Sequence, residues 1–155
     1  MCYLYHMRAV VQRVNDAHVE IGGAVTGAIG RGLLVLVGVE KADTEQDADY
    51  LADKIIGLRI FPDQAGKMNR SVVEVGGAVL VVSQFTLYGD ARNGRRPSYT
   101  CAAEPQKALG LYRQLIQLLR SRSFVVEEGE FAASMEVRYC NVGPITILLD
   151  SRKLF

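Results

Sequence analysis

Hydroxyl and amide side chains directly follow an apolar stretch near the middle of the chain, which reads Val81-Val82-Ser83-Gln84-Phe85-Thr86. Such groups at a strand end commonly hydrogen-bond to nearby backbone groups, and the pattern alone favours that interpretation. A strand end can also present polar groups to a ligand, because the scaffold behind it is rigid. The segment is therefore a candidate floor for a polar pocket.

A second candidate is the basic loop that follows, Arg92-Asn93-Gly94-Arg95-Arg96-Pro97-Ser98. Isolated arginines in a flexible loop are usually solvated. Arg95 and Arg96 are adjacent, however, and guanidinium groups can bind phosphate bidentately within a small area. The loop is therefore a candidate phosphate-binding segment.

A third candidate lies late in the chain, where Asn141-Val142-Gly143-Pro144-Ile145-Thr146 separates two strand-forming stretches. Its composition predicts a turn. A Gly-Pro peptide also presents main-chain carbonyl groups that no bulky side chain shields. Gly143 and Pro144 therefore suit a ligand that must be met by the backbone.

Residues for nucleophilic or metal catalysis are scarce, since the chain has only two histidines. His6 lies close to the amino terminus, and His18 alternates with Ala17 and Val19, which predicts a position on the polar face of a strand. No Ser-His-Asp or Cys-His arrangement is therefore expected. No cluster of side chains has metal-ligand spacing either, so neither a metal nor another cofactor is predicted.

Length and composition predict one globular domain, because the chain has 155 residues, of which 49% are hydrophobic and 23% are charged. Its 18 basic and 17 acidic residues leave a net charge of +1, which argues against a broad nucleic-acid surface and against DNA as a partner. No apolar run approaches the roughly 20 residues that span a bilayer, so no membrane partner is expected.

The amino terminus and the cysteines predict where the protein works. Residues 1–6 lack the features of a signal peptide and are interpreted as an extension, so the domain covers residues 7–155. Cys2, Cys101 and Cys140 cannot all pair within one chain and show no CxxC spacing. A reduced, cytoplasmic protein is expected.

The remaining pattern predicts an α/β domain with a mixed, largely antiparallel sheet and two main helices. The helices are predicted near residues 44–58, after a capping box at Thr44, and from Pro105 to about residue 119. The strands are expected at residues 9–14, 17–21, 33–39, 78–82, 123–126, 135–140 and 145–149.

A short repeat adds two predicted hairpins. Residues 19–25 read Val-Glu-Ile-Gly-Gly-Ala-Val, and residues 73–79 read Val-Glu-Val-Gly-Gly-Ala-Val. Glycine tolerates the positive φ angles that tight hairpin turns require, so both repeats are interpreted as strand, turn and strand.

Together these motifs resemble those of the D-aminoacyl-tRNA deacylases, over residues 7–151. The match is carried by Ser83-Gln84-Phe85-Thr86-Leu87 and by Asn141-x-Gly143-Pro144-x-Thr146 at their observed separation. Further co-linear matches are Met7 to Val14, Leu58-Arg59-Ile60-Phe61, Gly66-Lys67-Met68-Asn69 and Arg96-Pro97-Ser98. The sequence departs from the family at Val142, where an acidic residue is usual, at Ala132, where glycine is common, and at Gly89, where alanine is common.

The resemblance implies a homodimeric enzyme with a barrel-like core that hydrolyses the ester between a D-amino acid and the terminal adenosine of tRNA, and that also accepts glycyl-tRNA. Ser83, Gln84, Phe85 and Thr86 are then expected to surround the adenosine and the ester. Gly143 and Pro144, joined by a cis peptide bond, are expected to enter the pocket of the partner subunit and exclude L side chains. Arg13 is expected to orient that segment, and Arg95 and Arg96 to bind tRNA.

Aminoacyl esters are already activated, so positioning and oxyanion stabilisation can suffice for their hydrolysis. Attack by water is preferred, with backbone N–H groups near Phe85 and Thr86 as donors and with assistance from the 2′-hydroxyl of the tRNA. Thr86 as a nucleophile stays an alternative, although no base is visible that would deprotonate it.

A noncatalytic module that binds RNA ends is the alternative from a different functional class. The sequence lacks the interleaved aromatic and basic residues by which many such modules stack bases and contact the backbone. Catalysis is therefore preferred over binding alone.

Overall fold

The described chain, residues 6–122 and 124–155 of a computed structural model, combines one large sheet with two long helices. Its elements are β1 (Arg8–Ile21), β2 (Ala24–Ile29), β3 (Gly32–Gly38), α1 (Glu45–Gly57), β4 (Phe61–Pro62), β5 (Met68–Arg70), β6 (Ala78–Ser83), a 3₁₀ helix (Phe85–Tyr88), α2 (Pro105–Arg120), β7 (Val126–Glu128) and β8 (Glu136–Asp150). The predicted mixed sheet with two main helices is confirmed.

The sheet runs in the order β2-β1-β3-β6-β7, and β8 pairs with β1 outside this order. Pairings of β1 with β2, β3 and β8 are antiparallel, whereas β3 with β6 and β6 with β7 are parallel. The two ends of this order curl toward each other, since the backbone of Glu128 comes so close to Gly27 that no side chain would fit there. The sheet is therefore a nearly closed barrel.

The sequence predicted two consecutive strands where β1 lies and two more where β8 lies. The structure corrects this, because each of these regions is one long strand. Residues 9–14 and 17–21 belong to β1, and residues 136–150 form β8 without a chain reversal. Gln12 pairs with Thr146 while Val14 pairs with Asn141, so the segment between Asn141 and Thr146 is a bulge. A bulge absorbs extra residues without ending the ladder, which is why the composition of a turn occurs inside a strand.

The first copy of the short repeat forms the predicted hairpin, with Gly22 and Gly23 at positive φ between β1 and β2. The second copy does not. The main-chain N–H of Ser71 donates to the Glu74 carboxylate and that of Glu74 to the Ser71 hydroxyl, which winds residues 71–77 into helical turns. The chain then enters β6, which pairs in parallel with β3, so no hairpin forms.

The helices begin as predicted and cover one face of the sheet. Thr44 and Asp47 form a reciprocal capping box before α1, and Pro105 occupies the first turn of α2. Their apolar faces pack against alternate residues of β3 and β6, and the remaining residues of these strands face a second cluster on the opposite side. That second cluster consists of Val14, Ala17, Val19, Ile29, Leu34, Leu80 and Val82.

Two expectations fall partly on residues that the structure does not describe. The strand predicted at residues 123–126 is observed as Val126–Glu128, and residue 123 is not described. Residues 1–5 of the predicted extension also lie outside the described residues.

The expectation of reduced cysteines is wrong for Cys101, which is disulfide-bonded. Pairing depends on proximity in space rather than on spacing in sequence. None of the helices in the described ranges is long and apolar enough to cross a membrane.

Candidate functional site

A cavity of about 560 Å³ opens where the carboxyl ends of the parallel strands β3, β6 and β7 meet. Parallel strands bring the segments that follow them to one edge of the sheet, so residues distant in sequence share this space. The cavity is lined by Val37, Val39, Val82, Ser83, Gln84, Phe85, Tyr99, Ala102, Ala103, Pro105, Ala108, Phe131, Ala132, Ala133, Met135 and Val137.

Three consecutive residues of the predicted site, Ser83, Gln84 and Phe85, line this cavity. Ser83 is the last residue of β6, and the N–H of Gln84 continues the ladder by donating to the Val37 carbonyl at 2.7 Å. The chain then leaves the strand and forms the 3₁₀ helix, so the predicted polar strand ends earlier than expected. The Phe85 residue is 57% exposed at the cavity mouth.

The 3₁₀ helix is anchored by its last residue, Tyr88. The Tyr88 ring is buried, and its hydroxyl lies 2.8 Å from the Gly38 carbonyl oxygen and 2.7 Å from that of His6. Burial raises the pKa of Tyr88 well above its ordinary value, so its hydroxyl remains protonated. The anchor fixes the main chain of residues 85–88 against the core.

Thr86 lies on the exposed side of the 3₁₀ helix and does not belong to the cavity lining. Its hydroxyl accepts a hydrogen bond from the Gln84 side-chain amide. The main-chain N–H groups of Phe85 and Thr86, at the first turn, donate to no described residue. These two donors are free to meet a ligand oxygen.

The cavity lining contains no strong base. Among the described residues that line it, only Tyr99 is titratable, and there is no carboxylate, imidazole, amine or thiol. Across residues 6–122 and 124–155, no group of three or more His, Cys, Asp or Glu residues could hold a metal ion. Apart from main-chain groups, the polar groups of this otherwise apolar cavity are therefore the hydroxyls of Ser83 and Tyr99 and the side-chain amide of Gln84.

The bulge of β8 carries Gly143 and Pro144, which are exposed and joined by a cis peptide bond, as predicted. Gly143 has a φ of 126°, a conformation that side chains other than glycine rarely adopt. Arg13 lies opposite the bulge, where its Nε donates to the Val142 carbonyl at 3.1 Å and its Nη1 to the Ile60 carbonyl at 2.7 Å. Arg13 therefore ties the bulge to the rest of the domain.

The bulge does not reach the large cavity of its own chain. Arg13 and Val142 instead line a smaller cavity of about 250 Å³, together with Val14, Asn15, Arg31, Phe61 and Pro62. Within one chain, Ser83, Gln84 and Phe85 thus form one group, whereas Arg13, Gly143 and Pro144 form another.

The basic loop projects from a short neck beside the cavity. Asp90 and Ser98 close the neck with two main-chain hydrogen bonds of 2.8 and 2.9 Å. Arg92 binds the Asp90 carboxylate with two side-chain hydrogen bonds, which lowers the pKa of Asp90 to about 2. Arg95 and Arg96 are exposed and form no hydrogen bond or ion pair with described residues.

Sequence reasoning missed Tyr99 and most of the segment from Phe131 to Met135 as parts of the lining. Tyr99 directly follows the basic loop, and its ring meets that of Phe85 edge to face, with centroids 5.2 Å apart. Ala132, noted as a departure from the family glycine, has a φ of 62°. The family glycine was the one available signal, because glycine is favoured at that angle.

Known proteins resemble this chain along nearly its whole length. The model of the family described as D-Tyr-tRNA(Tyr) deacylase matches residues 10–150. The chain is 62% identical over 149 residues to a D-aminoacyl-tRNA deacylase of Anaeromyxobacter dehalogenans, and the match covers 96% of this chain and 100% of that one. A D-aminoacyl-tRNA deacylase of Thermotoga petrophila is 60% identical with the same coverage.

Two solved structures share the fold. One, of a c-Myc DNA Unwinding Element Binding Protein, superposes with a TM-score of 0.86 at 38% identity, covering 92% of this chain and 97% of that one. The other, of a probable eukaryotic D-amino acid tRNA deacylase, gives a TM-score of 0.81 at 16% identity, covering 93% and 98%. At 16% identity the second supports the fold alone.

The family resemblance inferred from the sequence motifs is thus confirmed by matches that span nearly the whole chain. The relatives are also covered along almost their full length, so the likeness is not confined to one motif. The chain belongs to the D-Tyr-tRNA(Tyr) deacylase family.

Proposed function

We propose that this protein hydrolyses the ester of D-aminoacyl-tRNA, releasing a D-amino acid and free tRNA, as a chiral proofreading step in translation. Membership of the deacylase family supports the reaction class. The observation that carries the proposal is the cavity at the three strand ends, which is lined by Ser83, Gln84 and Phe85 and is followed directly by Thr86. The main-chain N–H groups of Phe85 and Thr86 donate to no described residue. Such donors can stabilise the oxyanion of acyl transfer without a side-chain base.

In this mechanism a water molecule adds to the ester carbonyl, and the developing negative charge on the carbonyl oxygen is met by the N–H groups of Phe85 and Thr86. The bond between the carbonyl carbon and the ribose oxygen then breaks, and that oxygen takes up a proton. We assign the proton transfers to water and to the 2′-hydroxyl of the substrate, because the described lining holds no base. Ser83 and Gln84 position the substrate, and Thr86 supports Gln84.

Gly143 and Pro144 supply the selectivity in this proposal, but they act in the cavity of a second copy of the chain. Support comes from their exposure and from their separation from their own cavity. In the L and D forms of an amino acid the hydrogen and the side chain on Cα occupy opposite positions. A rigid main-chain segment close to Cα therefore excludes the L side chain and admits the D form. Arg13 holds this segment through the Val142 carbonyl.

Two more features of the substrate follow from the same arrangement. Glycine has no side chain to strike that main-chain segment, so glycyl-tRNA is also hydrolysed. Arg95 and Arg96 bind the phosphates of the tRNA end, a role supported by their exposure and by the absence of partners among described residues.

We place this activity in the cytoplasm, where aminoacylated tRNA is used.

The activity is tested with D-tyrosyl-tRNA, L-tyrosyl-tRNA and glycyl-tRNA, by measuring the release of free amino acid. Rapid release from the D and glycyl esters, with the L ester stable, is the expected result. Binding of tRNA without release of any amino acid would instead support the alternative of a noncatalytic RNA-end-binding module. Because the relative of 38% identity is named for binding a DNA element, a DNA duplex is a useful additional ligand in that binding assay.

The shared site is tested by complementation between two inactive variants. One variant carries Phe85→Asp in the cavity, and the other carries Gly143→Asp in the bulge. If each site combines the cavity of one chain with the bulge of another, mixed dimers contain one intact site and regain part of the D-specific activity. A fully active monomer in sedimentation at assay dilution would refute the shared site.

A further inference from the structure

Two exposed aromatic rings stand together at the mouth of the large cavity. Phe85 is 57% exposed and Tyr99 is 39% exposed, although both residues line the cavity. Their rings meet edge to face, with 5.2 Å between centroids and 70° between planes, so the edge of one ring covers only one face of the other. Large apolar rings that remain partly solvated beside a cavity often mark a binding surface.

The rings lie beside the end of the basic loop, the loop that carries Arg95 and Arg96. A methyl group on Gly89 would come within 3.2 Å of Tyr99 Cε1 and 3.5 Å of Pro97 Cβ, so the return of the loop packs on the end of the 3₁₀ helix. Arg96 precedes Tyr99 by three residues, which places its Cα within about 11 Å of the Tyr99 Cα. The separation is short enough for the rings and the Arg96 guanidinium to contact neighbouring nucleotides of one strand.

The volume of the cavity limits what lies inside it. About 560 Å³ is the size of a pocket for one ligand of ordinary dimensions, such as a single nucleoside with its aminoacyl group. A tRNA end continues beyond that nucleoside as a single strand. The next nucleotide must therefore lie outside the cavity, at its mouth.

We propose that Tyr99, together with Phe85, forms a stacking platform for the base that precedes the terminal adenosine, while Arg95 and Arg96 contact the adjoining phosphates. The inference rests on the proposed function and extends it to a second nucleotide. Proteins bind single-stranded RNA by stacking bases on aromatic side chains and by cationic contacts to the backbone. The platform accepts any base, since every base has a π-face.

The first test compares two substrates that differ only beyond the terminal nucleoside, D-tyrosyl-tRNA and D-tyrosyl-adenosine. Tyr99→Ala is expected to raise the KM for D-tyrosyl-tRNA about tenfold, the loss typical of one stacked base. Although Tyr99 also lines the cavity, the KM for D-tyrosyl-adenosine is expected to change much less, because that substrate has no preceding base to stack. Tyr99→Phe keeps the ring and therefore restores the KM. An equal loss on both substrates, or no loss on either, would overturn the platform.

The matched control is Phe155→Ala, which removes an aromatic ring that is also exposed but does not line the cavity. It is expected to leave the KM for both substrates unchanged. Loss of tRNA affinity in this variant as large as in Tyr99→Ala would contradict a specific role for Tyr99.

A second measurement does not depend on turnover, so it separates the platform from the proposed reaction. An RNA hairpin ending in an unpaired CCA strand carries 2-aminopurine in place of the penultimate cytidine. Its fluorescence is expected to fall on binding the unaltered protein and to fall much less with Tyr99→Ala at saturation. Equal quenching by both proteins refutes the platform, whereas quenching without hydrolysis of D-tyrosyl-tRNA refutes only the deacylase function.

Discussion

At the scale of the residue, Thr86 lacks the surroundings of an activated nucleophile. Its hydroxyl is exposed and accepts a hydrogen bond from Gln84, and the described cavity lining offers no base to remove its proton. Hydroxyl nucleophiles are activated by an adjacent base or by a metal. We therefore propose that the Thr86 side chain orients Gln84 and that its main-chain N–H, rather than its hydroxyl, meets the ligand.

The first prediction follows for Thr86→Ala. We expect the rate of D-tyrosyl-tRNA hydrolysis to fall by about tenfold or less, whereas removal of a true covalent nucleophile costs several powers of ten. Single-turnover kinetics with the unaltered protein and the variant measure the difference. Thr86→Ser, which keeps the hydroxyl, serves as the control, and isolation of an aminoacyl ester on Thr86 would contradict the prediction.

Ala132 carries a second prediction at this scale, because its φ of 62° is unfavourable for alanine. Ala132→Gly relieves that strain but increases the freedom of the unfolded chain. We expect the free energy of unfolding to rise by about 0.5–1 kcal/mol, as measured by urea denaturation. Ala133→Gly, at a neighbour without positive φ, is expected to destabilise the protein. A loss of stability in both variants would show that the Ala132 backbone is not strained.

At the scale of the element, the bulge of β8 is closed by the side chain of Asn141. Its Oδ1 accepts from the Ile145 N–H at 2.8 Å, and its Nδ2 donates to the Ile145 carbonyl and to the Thr146 hydroxyl, each at 3.2 Å. The two ends of the bulge are thus joined by one side chain. Asn141 and Arg13 together fix the segment that carries Gly143 and Pro144.

The third prediction tests this closure with Asn141→Ala and Asn141→Asp. Asn141→Ala removes the three hydrogen bonds that the Asn141 side chain makes across the bulge, so residues 142–145 are held less firmly. The ratio of the hydrolysis rates on the D and L esters is therefore expected to fall about tenfold. Stability is expected to fall by about 1 kcal/mol. Aspartate keeps the acceptor for the Ile145 N–H and should give an intermediate ratio. The proposal fails if the ratio of rates on D- and L-tyrosyl-tRNA is unchanged in Asn141→Ala.

At the scale of the whole molecule, buried acidic groups join the start of the fold to α1 and to the end of β8. Asp43 is only 2% exposed and accepts from the main-chain N–H groups of Met7 at 2.9 Å and Glu40 at 2.6 Å. Arg8 pairs with the buried Asp150 at 3.2 Å. Burial, together with the nearby charges of Asp47 and Glu40, raises the pKa of Asp43 to about 7, although its hydrogen bonds oppose the shift.

The fourth prediction concerns the pH dependence of stability. Asp43 binds its proton more tightly in the folded chain than in the unfolded chain, where its pKa is about 4. The contribution of Asp43 to the free energy of unfolding is therefore greatest below pH 4 and is lost as pH rises through about 7. We expect the free energy of unfolding to fall by about 1–3 kcal/mol from pH 5 to pH 8.

Urea denaturation across this pH range measures the effect, and Asp43→Asn isolates it. Asparagine does not titrate, so the variant should lose this part of the pH dependence even if its overall stability is lower. Parallel profiles for the unaltered protein and the variant would assign the pH dependence to other groups.

The features predicted from sequence were those fixed by local rules. Helix α1 was recognised from the capping box at Thr44 and from its apolar spacing, and the hairpin at Gly22-Gly23 from the φ angles that glycine allows. Contacts between distant residues were not predictable in this way. Tyr99 reaches Phe85 because the basic loop between them folds back on its neck, where Asp90 pairs with Ser98. The second copy of the repeat lies in the helical turns over residues 71–77, which are stabilised by hydrogen bonds between Ser71 and Glu74 that the repeat itself does not contain.

One consequence of the long outer strand concerns solubility. Strand β8 pairs with β1 and with no other described strand, so a row of main-chain groups along its far side is a template for unwanted strand addition and aggregation. The bulge interrupts this row, since the ladder with β1 shifts register between its two halves. Neither half alone offers a long regular edge. We therefore expect the segment proposed to read chirality also to limit strand addition along the edge of β8.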